Sequence, residues 1–197
     1  MSQPGLILLG AGGHARACID VIEQEGRYRI AGLLGAQAEI GAVHLGYRVI
    51  GTDDALALLR AQYQYAFVGI GQIHAPEIRT RVFKQLLDLG FKLPAIVAPT
   101  AYVSPHSTIG PGSVVMHGAV VNAGASIGNN CIINSRALIE HDVVVHDHCH
   151  VSTGAILNGN VVLGEQTFVG SGSIVREGLV VARGSLLSMG SVLKKTS

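Results

Sequence analysis

Between Val97 and Leu193 an aliphatic residue recurs at every sixth position. The series runs Val97, Val103, Ile109, Val115, Val121, Ile127, Ile133, Ile139, Val145, Val151, Leu157, Leu163, Val169, Val175, Val181, Leu187 and Leu193, 17 members without a break in register. If about a third of positions were aliphatic, chance would give this less than about once in a million. The residue four further on is Ala, Ser, Thr or Cys in 13 of 16 hexads, the exceptions being Val143, Val161 and Leu179. A fixed period of this kind marks a repeat architecture. Each hexad predicts one short strand and one corner. The aliphatic residue points inward, and the small residue fits where the chain turns. Gly110-Pro111-Gly112, Gly128-Asn129-Asn130 and Asn158-Gly159-Asn160 sit at predicted corners, whose backbone angles these residues tolerate. One hexad cannot bury its own aliphatic side chain, so the units must stack into a solenoid with a continuous core. Three hexads per coil give slightly over five coils, about 25 Å of height at a strand spacing of about 4.8 Å.

Upstream the pattern is different. Gly5 to Gly10 predicts a buried strand, followed by Gly10-Ala11-Gly12-Gly13-His14-Ala15 and a helix to about Gln24. Strand, glycine turn and helix open many nucleotide-binding βαβ units. Further strands are predicted over Tyr28–Leu34, Tyr47–Ile50 and Tyr65–Ile70. Helices are predicted from Thr52-Asp53-Asp54, as a cap, to about Ala61, and from Ile78 to Leu89 after Pro76-Glu77. Alternation of this sort predicts a small parallel sheet flanked by helices. The boundary falls near Phe91 to Pro94, giving an α/β Rossmann-like domain over residues 1–94 and an all-β parallel helix over 95–197.

A net charge of +1 argues against nucleic acid as a partner. No apolar stretch reaches the roughly 20 residues that span a bilayer, so membrane insertion is not expected. Three scattered cysteines and the lack of a signal-peptide pattern lead us to expect a reducing cytoplasm.

The polar residues concentrate in Glu140-His141-Asp142 through His146, His148 and His150, four of the nine histidines within ten residues. A histidine beside carboxylates, held in one tautomer with its other nitrogen exposed, suits a general base. The same cluster admits a zinc reading through His141, His146, His148 and His150, as in the carbonic anhydrases built on this repeat, but the spacing is loose. The plain alternative is polar corners facing water.

Several stretches together resemble the PglD/NeuD-type bacterial sugar acyltransferases. They are Gly10-Ala11-Gly12-Gly13-His14, Pro99-Thr100-Ala101-Tyr102-Val103-Ser104-Pro105, Asn134, Ile139-Glu140-His141-Asp142 and His150-Val151-Ser152-x-Gly154-Ala155. The resemblance implies a left-handed β-helix, a homotrimer, and acetyl-CoA as co-substrate with no metal. It implies acetyl transfer to the amino group of a nucleotide-linked amino-sugar, or alternatively to a hydroxyl of a sialic acid. On it His141 is the general base and Asp142 orients it. His150 and the Gly159 N–H stand near the acetyl carbonyl, and Ser171 and Met189 line the CoA groove. The acceptor would meet Gly12, Gly13, His14, Gly71, Gln72, Arg79 and Asn134. One departure is clear: Leu34-Gly35-Ala36-Gln37 stands where many relatives carry Asp-Asp after the second strand. A carbonic-anhydrase-like zinc protein and a non-catalytic β-helical binding module remain the competing functions.

Overall fold

The computed structural model describes residues 3–73 and 75–195. Contacts divide the chain into two units. The first runs through Gly71 and resumes at Glu77–Pro94; the second comprises Gln72–Pro76 and everything from Ala95 on. The division therefore differs from a single cut near Pro94 by assigning Gln72–Pro76 to the second unit.

The first unit is a twisted α/β sheet. Its elements are β1 (Gly5–Leu9), α1 (Gly13–Glu25), β2 (Arg29–Leu34), β3 (Val43–His44), β4 (Tyr47–Gly51), α2 (Leu56–Arg60), β5 (Tyr65–Val68) and α3 (Pro76–Asp88). Strand order is β3-β4-β2-β1-β5, parallel throughout except for the β3–β4 hairpin. β1 is buried on both faces, which is why Leu6 to Leu9 read as an unbroken apolar run. The chain leaves β1 toward β2 on one side and returns as β5 on the other. The carboxyl ends of these strands thus flank a topological switch point, the usual place for a ligand crevice.

Three local readings change. β3 has no forerunner in the pattern, since two residues are too few to alternate. The cap at Thr52 opens a 3₁₀ turn over Asp53–Ala55 before α2, with Thr52 Oγ1 accepting from Asp54 N–H at 3.4 Å. β5 ends at Val68, two residues early, where Gly69 begins the turn.

The second unit is a left-handed β-helix. Its strands are two residues each, β6 (Ile96–Val97) through β22 (Val192–Leu193), stacked in three parallel sheets of six, five and six strands. Pairing joins residues 18 apart, as in Val121↔Ile139 and Ile139↔Leu157. The second residue of each strand enters the core; Ile133, Ile139, Val151 and Leu157 are all 0% exposed. The small position also has a physical reason. At one corner its side chain turns inward and donates to the carbonyl 15 residues on. Ser113 Oγ reaches Gly128 O at 2.7 Å, Cys131 Sγ reaches His146 O at 3.2 Å, Cys149 Sγ reaches Gly164 O at 3.1 Å, and Thr167 Oγ1 reaches Ala182 O at 3.1 Å. Each bond satisfies a corner carbonyl that no strand partner can reach. Burial raises the Cys149 thiol pKa, with Cys131 adding to the rise, so it is a donor and not a thiolate.

Candidate active site

Each unit carries its own candidate site. In the first, a cavity of about 620 Å³ is lined by the turn Gly10–His14, by Gly35, Ala36 and Glu39 after β2, by Thr52–Asp54 after β4, and by Gly69–Gly71 after β5. The turn is built for close approach. Gly10 has φ +115°, and a Cβ there would lie 3.0 Å from Gly69 O. α1 starts at Gly13 with no side-chain cap, leaving its first N–H groups toward the cavity. Ala15, at the last motif position, is 1% exposed, and a Cβ on Gly69 would lie 3.3 Å from its Cα, so the two backbones approach closely here.

Acidic groups enter this cavity from places the sequence pattern did not single out as site residues. Glu39 Oε2 accepts from Ala36 N–H at 2.7 Å. A Cβ on Gly35 would come 2.7 Å from that same oxygen, so Gly35 makes room for the carboxylate. Asp53 and Asp54 read only as a helix cap; their position after a strand adjoining β2 was the missed signal.

Two expected acceptor contacts are placed otherwise. Arg79 is 0% exposed, with Nη1 donating to Val68 O at 2.6 Å and Ile70 O at 2.8 Å. It braces the turn after β5 from behind and does not line the cavity. Its charge opposes the rise that burial imposes on the Cys18 thiol, which still reaches about 12. Gln72 is 3% exposed and belongs to the second unit, where its Nε2 donates to His148 O at 2.8 Å. Gly12, Gly13, His14 and Gly71 do line the cavity.

In the second unit, His141 and Asp142 occupy one corner. Asp142 has φ +59°, a left-handed conformation that Asp tolerates better than most residues. This turns its carboxylate back onto His141, with Nδ1 2.9 Å from Oδ2. A carboxylate only accepts, so Nδ1 carries the proton and Nε2 presents a lone pair. Both side chains are about 60% exposed, at 59% and 60%. The ring lies on the next coil over Gly159, where a Cβ would come 2.6 Å from Cε1 and Nε2. Glu140 steadies the corner from below, accepting from Asn122 Nδ2 at 2.9 Å.

The remaining expected residues fall on two faces. Ser171 and Met189 share a corner column, both exposed, Met189 at 80%. Ser171 Oγ is 2.9 Å from Ser152 Oγ. His150 is 6% exposed, its Nδ1 against the Gln72 carbonyl and its Nε2 3.1 Å from Asn134 Nδ2. Among the described residues no group of three His, Cys, Asp or Glu side chains could hold a metal ion.

Known proteins resemble this chain over both units. The family model for the PglD N-terminal domain matches residues 5–86, and that for bacterial transferase hexapeptide (six repeats) matches residues 124–159. No curated protein matches the chain. Among solved structures, PerB from Caulobacter crescentus in complex with CoA and GDP-perosamine is 33% identical, with TM-score 0.91, over 99% of this chain and 91% of that one. The acetyltransferase domain of PglB from Neisseria gonorrhoeae FA1090 is 32% identical, with TM-score 0.89, over 98% and 93%. WeeI from Acinetobacter baumannii AYE, 18% identical with TM-score 0.82 over 98% and 92%, shares the fold. The chain belongs to the PglD/NeuD-like family of hexapeptide-repeat sugar acetyltransferases, and is an acyltransferase.

Proposed function

We propose that this enzyme transfers the acetyl group of acetyl-CoA to the amino group of a nucleotide-linked amino-sugar. The observation that carries the reading is the His141–Asp142 pair, an imidazole whose Nδ1–H is held by a carboxylate while Nε2 remains basic at an exposed corner. As the acceptor nitrogen attacks the thioester carbonyl, Nε2 of His141 takes its proton. The tetrahedral intermediate then collapses, expelling the CoA thiolate, which His141 can protonate. A backbone N–H at Gly159 is suited to the developing oxyanion, since corner residues leave their N–H outside the strand ladder. No acyl-enzyme is required, because holding both substrates together supplies much of the rate.

The glycine-turn cavity suits the nucleotide end of the acceptor. Backbone N–H groups at the start of α1 favour phosphate, and Glu39, Asp53 and Asp54 offer acceptors to ribose hydroxyls or base N–H groups. The PerB complex with GDP-perosamine and the PglB domain with acetyl-CoA support both substrate classes. Ser171 and Met189 are suited to line a pantetheine groove. We assign a homotrimer, whose test is light scattering of the purified protein, and a cytoplasmic location. No helix among the described residues is long and apolar enough to cross a membrane.

A thiol-release assay tests the function. Purified protein with acetyl-CoA is offered nucleotide-linked 4-amino-sugars and, separately, sialic acids. CoA release with an amino-sugar is the expected result. Release only with sialic acids would transfer the reading to O-acetylation, and silence throughout would remove it.

A further inference from the structure

On the corner that carries His141, one column of residues 18 apart has a left-handed backbone. Gly124, Asp142, Asn160 and Gly178 have φ +76°, +59°, +60° and +70°. A side chain at such a position leans back over the preceding coil. Arg136 does so at a neighbouring corner, its Cγ 3.4 Å from where a Cβ on Gly118 would stand. Asp142 does so with its carboxylate. A Cβ on Gly124 would overlap Asp142 Oδ1 and lie 3.2 Å from Cγ. The other oxygen, Oδ2, is the one 2.9 Å from His141 Nδ1. One carboxyl group therefore makes two fits at once, against the bare backbone of Gly124 and to the imidazole. His141 leans the other way, over Gly159 on the following coil. The pair lies across three coils with a glycine on either side.

The backbone around this contact is pinned. Gly124 N–H donates to His106 O at 3.0 Å, and Asp142 N–H donates to Ala123 O at 3.1 Å. A methyl group at position 124 would therefore be accommodated at the Asp142 side chain, which is 60% exposed and can turn into water. Oδ1 and Oδ2 share one rigid plane, so displacing the first swings the second away from Nδ1. Without that acceptor the imidazole is free to change tautomer, and the share that presents a basic Nε2 falls.

We propose that Gly124 is a positioning residue: its missing side chain seats the Asp142 carboxylate, which in turn holds His141 in the Nδ1–H tautomer. The proposal rests on the reading of His141 as the base in acetyl transfer and adds a residue that acts through Asp142. Gly184 supplies the comparison. It has φ +70° at another corner, its N–H donates to Glu165 O at 2.9 Å, and a Cβ there would meet nothing within 4 Å. Alanine at 184 imposes the same backbone strain without the collision.

Three readouts test it, on variants whose folding is checked by thermal melts. Gly124→Ala should lower kcat by about ten- to a hundredfold with KM for acetyl-CoA within a few-fold. Gly184→Ala, with a similar fall in melting temperature, should keep kcat within about twofold. Equal losses in the two would assign the effect to backbone strain and overturn the proposal. In an Asp142→Gly background no carboxylate remains to displace, and adding Gly124→Ala should change kcat by less than about twofold. A further loss as large as in the wild-type background would show that Gly124 acts elsewhere. The third readout is long-range ¹H–¹⁵N correlation at pH 8 on protein carrying ¹⁵N-labelled histidine, with His141→Gln to assign the signal. Wild type and Gly184→Ala should show the Nδ1–H tautomer, and Gly124→Ala an increased share of Nε2–H. An unchanged tautomer in Gly124→Ala would overturn the proposal whatever the kinetics. Gly124→Asn, which suits a left-handed corner better than alanine, serves where Gly124→Ala does not fold and should show the same loss. Wild-type protein that released no CoA with any acceptor would remove the acetyl-transfer reading, while the tautomer spectra would still decide whether Gly124 seats Asp142.

Discussion

Two histidines nine residues apart are used in opposite ways. His141 stands at a corner, mostly in solvent, with one carboxylate partner and a basic nitrogen pointing outward. His150 stands on a strand, nearly sealed, with both nitrogens committed. Composition treats them alike, and both lie in the same run of polar residues. What separates them is phase within the hexad. Residue 141 is two beyond the core-facing Ile139 and falls where the chain turns. Residue 150 immediately precedes the core-facing Val151, on the outer face of a strand, and Gln72 lies over it. A corner leaves a side chain room to exchange protons with a ligand; a covered strand position fixes a hydrogen-bond direction.

This contrast can be attacked in order of expected effect. His141→Ala removes the proposed base and should lower kcat by about 10²- to 10⁴-fold, read by thiol release. A loss under about tenfold would mean that His141 does not carry the proton. Gly159→Ala should come next, about tenfold or more, because its Cβ would occupy the space of the His141 ring. Thermal stability should change little, and a large drop in melting temperature with activity intact would show that the ring simply moves aside. Asp142→Asn keeps a residue that tolerates the left-handed corner but no longer accepts as a charge. We expect about ten- to a hundredfold in kcat, with KM nearly unchanged. Leu157→Ala tests the opposite kind of position, a fully buried rung below the corner. It should cost about 2–5 kcal/mol in urea unfolding while kcat of the folded fraction stays within a few-fold. The smallest effect concerns thiols. Burial raises the pKa values of Cys18, to about 12, and Cys149, so neither forms appreciable thiolate at pH 8. A chromogenic disulfide should react with the native protein only after denaturant is added.

The architecture was largely legible in the sequence because period six is enforced at every rung. A single wrong side chain at Val121 or Ile139 would have no alternative place to go. The glycine turn was legible for a similar reason, since Gly10 has a backbone angle that other residues rarely adopt. What could not be read depends on contacts between residues far apart in the chain. Arg79 looks like a cation on a helix until Val68 and Ile70 recruit it with their carbonyls. Gln72 looks like part of a phosphate turn until it proves to be tied to His148 and His150. Glu39 has no motif around it, and only the fold of the β2–β3 segment brings it to the cavity. The His141–Asp142 pair was readable because its partners are adjacent, whereas the bonds through Asn134, His150 and Gln72 join residues 16 and 78 apart.

The 18-residue pairing has a consequence for how such a chain can change its length. Removing or duplicating 18 residues within the β-helix takes out or adds one whole coil, and every later side chain keeps its former direction. A change of six preserves the inside–outside alternation but rotates everything downstream by one face, so Ser171 and Met189 would leave the column they share with Ser135. A number that is not a multiple of six breaks the register of the core-facing aliphatic residues downstream. The molecule therefore carries a grammar of permitted insertions. Its height can drift in steps of about 4.8 Å, while the azimuth of each corner is inherited almost without freedom.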